Sequence, residues 1–345
     1  MSIDNLLIEP SSDNLDYFSY YDNYELVLDF ILGCENLNQN FYSLKTEKEI
    51  IFSGFGLDKP IFLEDKDKNV CRFCKNEISN INRDKPHVIP HSIGNKYLFS
   101  FYECKSCNGK FSDYETNFAA HLGNLTRQIS RVRGKGGYPK SKASDKKSFI
   151  ISDGKLVTVK QEVGSERLCK VEDNKKINLK AVKDTYIPLK VYKCLTKIAL
   201  TLIPEYELPN FLETMKWING ETTAYRDDFL FLGKGYRIDY HFPLRAILLR
   251  RKNEEGLFYM NFVLTFSNFF LQIRIPYCSL DINNFENSVP LKVSAYPVFN
   301  IAPYVKHKKS NLLFSNQIQI FPHQFYDFSS SEKIKGEKED FELEN

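Results

Sequence analysis

Two Cys-x2-Cys pairs constrain this chain more than any other feature. Cys71-Arg-Phe-Cys74 and Cys104-Lys-Ser-Cys107 are separated by 29 residues. Each pair presents two thiolates to one tetrahedral ion, and four thiolates close its coordination shell. The spacing therefore predicts a structural zinc held by Cys71, Cys74, Cys104 and Cys107, with no open position for chemistry. The other four cysteines, Cys34, Cys169, Cys194 and Cys278, are scattered. In a reducing compartment that scatter suggests ordinary buried thiols rather than a disulfide framework.

The segment between the pairs is longer than in a plain zinc ribbon. It contains KPHVIPHSIGNKYLFSFYE, which can form two short strands joined by a loop. After the second pair, CNGKFSDYETNFAAHLGNL sets Phe111, Tyr114, Phe118 and Leu122 at spacings of three and four, with Asp113 and Glu115 early. This predicts a helix starting near Asn108. Zinc would tie the hairpin to the start of that helix, where Asn108 can face His87 across a small gap.

The rest of the chain sets the context. A length of 345 residues, 42% hydrophobic and 14% aromatic, is enough for one large domain or two modest ones. No basic segment followed by an apolar run opens the sequence, and runs such as NFVLTFSNFFLQI fall short of the roughly 18 residues of a membrane span. The expectation is a soluble, cytoplasmic protein with no membrane partner.

The formal net charge of +3 conceals segregation: residues 1–68 are acidic, whereas RQISRVRGKGGYPKSKASDKK is strongly basic. That stretch carries Arg127, Arg131, Arg133, Lys135, Lys140, Lys142, Lys146 and Lys147 against Asp145 alone. Such density suits a phosphate-contacting segment, and it also suits a solvated basic linker.

Before Cys71, YELVLDFIL has helix-compatible apolar spacing, while EIIFSGF and PIFLE read as short strands. Further on, Val191, Leu195, Ile198 and Leu202 predict an amphipathic helix stopped by Pro204, and a second helix spans about Asn210 to Ile218, ending at Asn219-Gly220. LRAILLR, LFYMNFVLTF and FFLQIRI then read as an antiparallel meander. The expected organisation is α+β: an acidic segment at 1–68, a zinc module with its basic extension at 69–150, a separate α+β domain at 151–328, and a disordered charged tail at 329–345. Gly233-Lys234-Gly235 lacks the spacing of a phosphate loop, and His241, His307 and His323 are isolated.

The ordered pattern C-x2-C, H-V-I-P, G-N and E-C-x2-C-N-x2-F, with a downstream acidic residue, resembles the HNH nucleases, the ββα-metal or His-Me finger group, in the subgroup built on a four-cysteine zinc site. The resemblance covers about residues 69 to 140. It implies that His87 is the general base, that Asn108 binds a catalytic divalent cation, Mg2+ or Mn2+, and that Asn95 orients the histidine by hydrogen bonding. His91, Asp84 and Glu115 are candidate auxiliary ligands. Arg127, Arg131, Arg133, Lys135 and Lys140 are the candidate nucleic-acid contacts.

One position departs from the family pattern. Many such modules place Asp or Glu directly before the histidine, and here that residue is Pro86. The implied activity is metal-dependent hydrolysis of phosphodiester bonds in DNA, in the manner of a restriction or anti-phage effector. The C-terminal domain would then meet a DNA feature, an activating ligand or a protein partner. The alternatives are a non-catalytic zinc-dependent DNA-binding module with a degenerate site, and a zinc-supported interaction scaffold.

Overall fold

The computed structural model describes residues 6–8, 23–32, 41–55, 59–63, 69–79, 84–143, 145–152, 156–164, 168–171, 177–222, 230–236, 242–252, 256–282, 291–293, 296, 324–327, 330–334 and 338–343. The strands of the first half are β1 (Leu6–Ile8), β2 (Tyr24–Leu32), β3 (Phe41–Thr46), β4 (Ile50–Phe55), β5 (Ile61–Phe62), β6 (Leu98–Phe99), β7 (Ser141–Lys142), β8 (Phe149–Ser152) and β9 (Val157–Lys160). Those of the second half are β10 (Cys169–Val171), β11 (Ile177–Val182), β12 (Phe231–Tyr236), β13 (Phe242–Arg251), β14 (Met260–Ser267), β15 (Phe269–Arg274), β16 (Leu291–Val293), β17 (Gln324–Asp327) and β18 (Lys338–Leu343). Four α-helices accompany them among the described residues: α1 (Lys105–Leu122), α2 (Asn124–Ile129), α3 (Pro188–Leu202) and α4 (Leu212–Asn219).

The apolar runs of the C-terminal half form the expected meander, β13-β14-β15, with Leu264 opposite Leu271 and Phe266 opposite Phe269. This meander is the middle of an eight-stranded sheet ordered β17-β12-β15-β14-β13-β2-β3-β4. YELVLDFIL is therefore a strand, not a helix. Its nine residues fit either period, and pairing decides the outcome: β2 lies between β13 and β3, so both of its edges are satisfied and Val27, Leu28 and Phe30 are buried. The strands expected around EIIFSGF and PIFLE are present as β4 and β5.

Because β2 to β4 complete a sheet made otherwise from the C-terminal half, the chain leaves this sheet, builds the zinc region, and returns to it. One buried cluster joins Val27 and Phe30 of the sheet, Cys71 and Phe111 of the zinc region, Val191 and Ile198 of α3, and Phe266 of β14. A smaller cluster, including Tyr24, Ile247, Val263 and Phe270, is separate from it.

The helix expected up to Pro204 is α3, with Pro188 in its first turn and Ile203 at its C-cap. It is buried on nearly every side, Thr196, Lys197 and Thr201 included. The second expected helix is α4, ended by Gly220 in a left-handed conformation at φ 74°. At the C-terminus, part of the stretch expected to be disordered is strand β18, antiparallel to β11 with Val182 opposite Lys338 and Ile177 opposite Leu343. The backbone partner it needs lies some 160 residues away in sequence, roughly the separation of these registers. Among the described residues, no helix is long and apolar enough to cross a membrane.

Candidate active site

Two tight turns bring the four cysteines together. In the first, Cys71 N donates to Asn76 O at 2.8 Å and Lys75 N donates to Cys71 O at 3.0 Å, with Lys75 at φ 61° turning the chain after Cys74. In the second, Cys104 is the extended N-cap of α1 and Cys107 lies in its first turn. The four Sγ atoms all lie within 4.8 Å of one another, and Cys74 Sγ is 3.7 Å from Cys104 Sγ. A tetrahedral zinc with bonds of about 2.3 Å separates its sulfurs by about 3.8 Å. The thiols are free and near this spacing, so their geometry and chemistry fit a structural zinc. The Cys107 thiol, hydrogen-bonded to Cys71, draws Cys71 down against the upward effect of burial, and Cys107 is pushed up in turn.

Between these turns lies the expected hairpin. Val88 N donates to Leu98 O at 3.1 Å and Ser100 N donates to Pro86 O at 3.0 Å, leaving His87 opposite Phe99. Strand β5 pairs with the outer edge of β6. The loop contains a 3-10 turn, His91–Ile93, closed by Gly94 at φ 108°, a conformation that suits glycine. Asn95 is fully buried, and all four hydrogen-bonding capacities of its amide serve the loop. Its Nδ2 donates to Ile89 O at 2.8 Å and Leu98 O at 2.9 Å, while its Oδ1 accepts from Tyr97 N at 3.2 Å and Leu98 N at 2.9 Å. Asn95 thus holds the loop beside His87 through hydrogen bonds to the backbone rather than to the imidazole.

His87 is half-buried, its ring 4.3 Å from Phe99 and 5.2 Å from His91, the latter edge to face. Among the described residues, Nδ1 of His87 and Nδ1 of His91 are buried without hydrogen-bond partners. Burial, followed by the charges of His91, Lys197 and Lys135, lowers His87 to about 4, so its imidazole is neutral near pH 7. Burial also lowers His91.

Asn108 lies in the first turn of α1, and its Nδ2 donates to Asp84 Oδ2 at 2.6 Å. A carboxylate thus reaches the helix start from three residues before His87, although the residue directly before it is the buried Pro86. The third auxiliary candidate, Glu115, is raised by burial, with Lys197 acting in opposition.

The basic residues divide into two kinds. Arg131, Arg133, Lys135 and Lys140 are exposed, with Arg133 over the Tyr138 ring and Lys140 over the Phe149 ring, each at 4.8 Å. Their segment turns back through Gly134 and Gly137, which exchange backbone hydrogen bonds. Arg127, expected among the phosphate contacts, is instead buried, and its Nη2 donates to Ser92 O at 2.8 Å. A guanidinium occupied in holding the histidine loop from beneath is poorly placed to meet a phosphate.

The residues that sequence reasoning missed join this region to α3 and α4. Arg72, between the first two cysteines, donates through Nη1 to Leu200 O, Thr201 O and Ile203 O at 2.8 to 2.9 Å, capping the C-terminal end of α3. Asn219 Nδ2 donates to Phe73 O at 2.7 Å, and Tyr114 Oη donates to Ile218 O at 2.9 Å. Lys197 Nζ lies 2.9 Å from Glu103 Oε2 and donates to His87 O at 3.3 Å. Burial drives the Lys197 ammonium down, but Glu103 and Glu115 outweigh it and raise the group above its ordinary value. Arg72 sits inside the motif itself, whereas Lys197 carries no motif signal.

A cysteine-clamped hairpin and helix, with a half-buried histidine on the first strand and an asparagine at the helix start, define a ββα module whose four cysteines could hold a metal ion. Residues 71–122, from the first cysteine to the end of α1, match the family model for HNH endonuclease, and the chain carries a module of that nuclease type. The matched span is a small part of the 345 residues. No curated protein and no solved structure matches the chain.

Proposed function

We propose that this protein is a metal-dependent endonuclease that hydrolyses phosphodiester bonds in DNA. The observation that carries the reading is the contact of Asp84 with Asn108 at the start of α1, in the module that bears His87. It offers a carboxylate where Pro86 offers none; Asn108 donates to it through Nδ2, and rotation of that amide would turn its oxygen to the same side, giving an oxygen donor set suited to a hard cation. Asp84 and Asn108 would hold Mg2+ or Mn2+, with His91 as an auxiliary; a bound cation would neutralise charge developing on the phosphate and the leaving oxygen. His87, neutral near pH 7, accepts a proton from the attacking water as that oxygen bonds to phosphorus, and the leaving oxygen departs with the P–O electron pair. Arg131, Arg133, Lys135 and Lys140 meet the DNA backbone.

The zinc thiolates and the remaining free thiols among the described residues suit a cytoplasmic setting. A nuclease module inserted in a much larger unmatched chain suits a restriction or anti-phage effector, in which the remainder receives a DNA feature, a partner or an activating ligand. Buried Pro86 at the position of the usual acid favours a second reading, a DNA-binding module that no longer cuts.

Time-resolved cleavage of supercoiled plasmid and single-stranded DNA separates the two. The nuclease reading expects cleavage with Mg2+ or Mn2+ that EDTA abolishes and His87→Ala removes while zinc content persists. Salt-sensitive DNA binding without cleavage under any of these conditions would leave the second reading.

A further inference from the structure

We propose that the buried Lys197–Glu103 ion pair is a positioning device for His87, which makes helix α3 a working part of the nuclease site. The kinetic part of this inference rests on the nuclease reading; the structural part does not.

Lys197 is 2% exposed at its side chain and Glu103 is 0% exposed. One ammonium therefore holds two points of the module: the His87 carbonyl on the first strand, and the carboxylate of the residue just before the second cysteine pair. The first point fixes the backbone from which the imidazole projects. The second refers that backbone to Cys104 and the start of α1, where Asn108 lies. Histidine and asparagine are thereby tied to a common group supplied by a helix about 90 to 110 residues away in sequence, the separations of these two contacts.

A purely stabilising role is a weak explanation for this pair. Removing two ions from water costs about what their attraction returns, so such pairs seldom add net stability over apolar side chains of similar size. Attachment of the module to α3 and α4 is also provided already by Arg72, Asn219 and Tyr114. What these three do not provide is a contact to His87.

The test uses the full chain. Lys197→Met alone leaves Glu103 buried without its cation and risks unfolding, so the decisive protein is the double variant Lys197→Met with Glu103→Leu, which fills the space with apolar side chains. Lys197→Arg, which keeps the charge, is the rescue. Two readouts are taken: kcat and KM for plasmid nicking with Mg2+, and hydrogen exchange at the Val88 and Ser100 amides, which report the hairpin on either side of His87.

In the double variant, zinc content and cooperative melting are retained, kcat falls by about 10- to 100-fold with KM little changed, and both amides exchange faster. Lys197→Arg recovers a substantial part of kcat. Wild-type kcat in a folded double variant overturns the proposal, whatever the exchange. If the wild-type protein cuts nothing, the nuclease reading fails separately and exchange alone decides: faster exchange at Val88 and Ser100 supports the positioning, and unchanged exchange overturns it.

Discussion

The zinc turns and the histidine loop occupy one short stretch of chain and solve opposite problems. At the four cysteines every ligand atom points inward, the sulfurs lie within 4.8 Å of one another, and no position is left for a reactant. At the loop, Asn95 spends all its hydrogen bonds on backbone, and His87 keeps a buried Nδ1 with no partner among the described residues. A satisfied group is structural, whereas an imidazole held neutral has a nitrogen lone pair not yet committed to a proton. The difference separates the frame from the proposed base within a single motif.

The largest effect expected from this division is at the frame. Cys104 both caps α1 and belongs to the thiol cluster, so Cys104→Ser removes a ligand and loosens the helix start. Structural zinc contributes on the order of 10 kcal/mol to small modules, comparable with the whole stability of a domain. Zinc content and the cooperative thermal transition are both expected to be lost, and a folded zinc-free variant would break the comparison. On the nuclease reading, His87→Ala is expected to lower cleavage by roughly 10²- to 10⁴-fold, with zinc content and melting temperature nearly unchanged. An equal loss of both would make His87 part of the frame.

Asn95 falls between the two. Asn95→Ala strips partners from Ile89 O, Leu98 O, Tyr97 N and Leu98 N. Since each buried polar group left unsatisfied costs about 1–3 kcal/mol, and some relax, a net loss of about 2–4 kcal/mol is expected in denaturant unfolding. Zinc should stay bound, and cleavage should fall less than in His87→Ala.

A smaller effect is expected from pH. Folding lowers His87 to about 4 from the usual 6.5, so between these values the unfolded chain binds more protons than the folded one. The stability difference between wild type and His87→Gln should therefore be constant above about pH 6.5 and shift against wild type as pH falls towards 4. Partial exposure of the ring limits its size. Melting temperatures of both proteins across that range check the sign, and parallel curves would show that burial does not perturb the imidazole.

How much of this could be read from the residues follows from how local each feature is. The zinc turns, hairpin and α1 are specified within about fifty residues, the length of the matched span, and ligand spacing and apolar period agree there. The residues of β2 fit the helical and the extended period alike, and only its partners β13 and β3 make it a strand. Lys197 carries no sequence signal because the stripe of Val191, Leu195, Ile198 and Leu202 implies a solvated opposite face, whereas α3 is enclosed on nearly every side. Arg127 belongs to a basic run in sequence and to the interior in space, a distinction that charge counting does not make.

That last distinction gives the smallest expected effect. Neutralising one cation that meets a phosphate reduces the slope of log K against log salt by about 0.9, whatever the DNA sequence. Lys135 is exposed and its charge acts on both His87 and His91, so Lys135→Ala should lower the slope by about that amount with little change in melting temperature. Arg127→Ala should do the reverse, because its guanidinium holds Ser92 O rather than solvent: a lower melting temperature and an unchanged slope. Equal slopes lost in both variants would mean that the histidine loop opens on DNA to release Arg127, and the loop would then no longer count as a fixed part of the site.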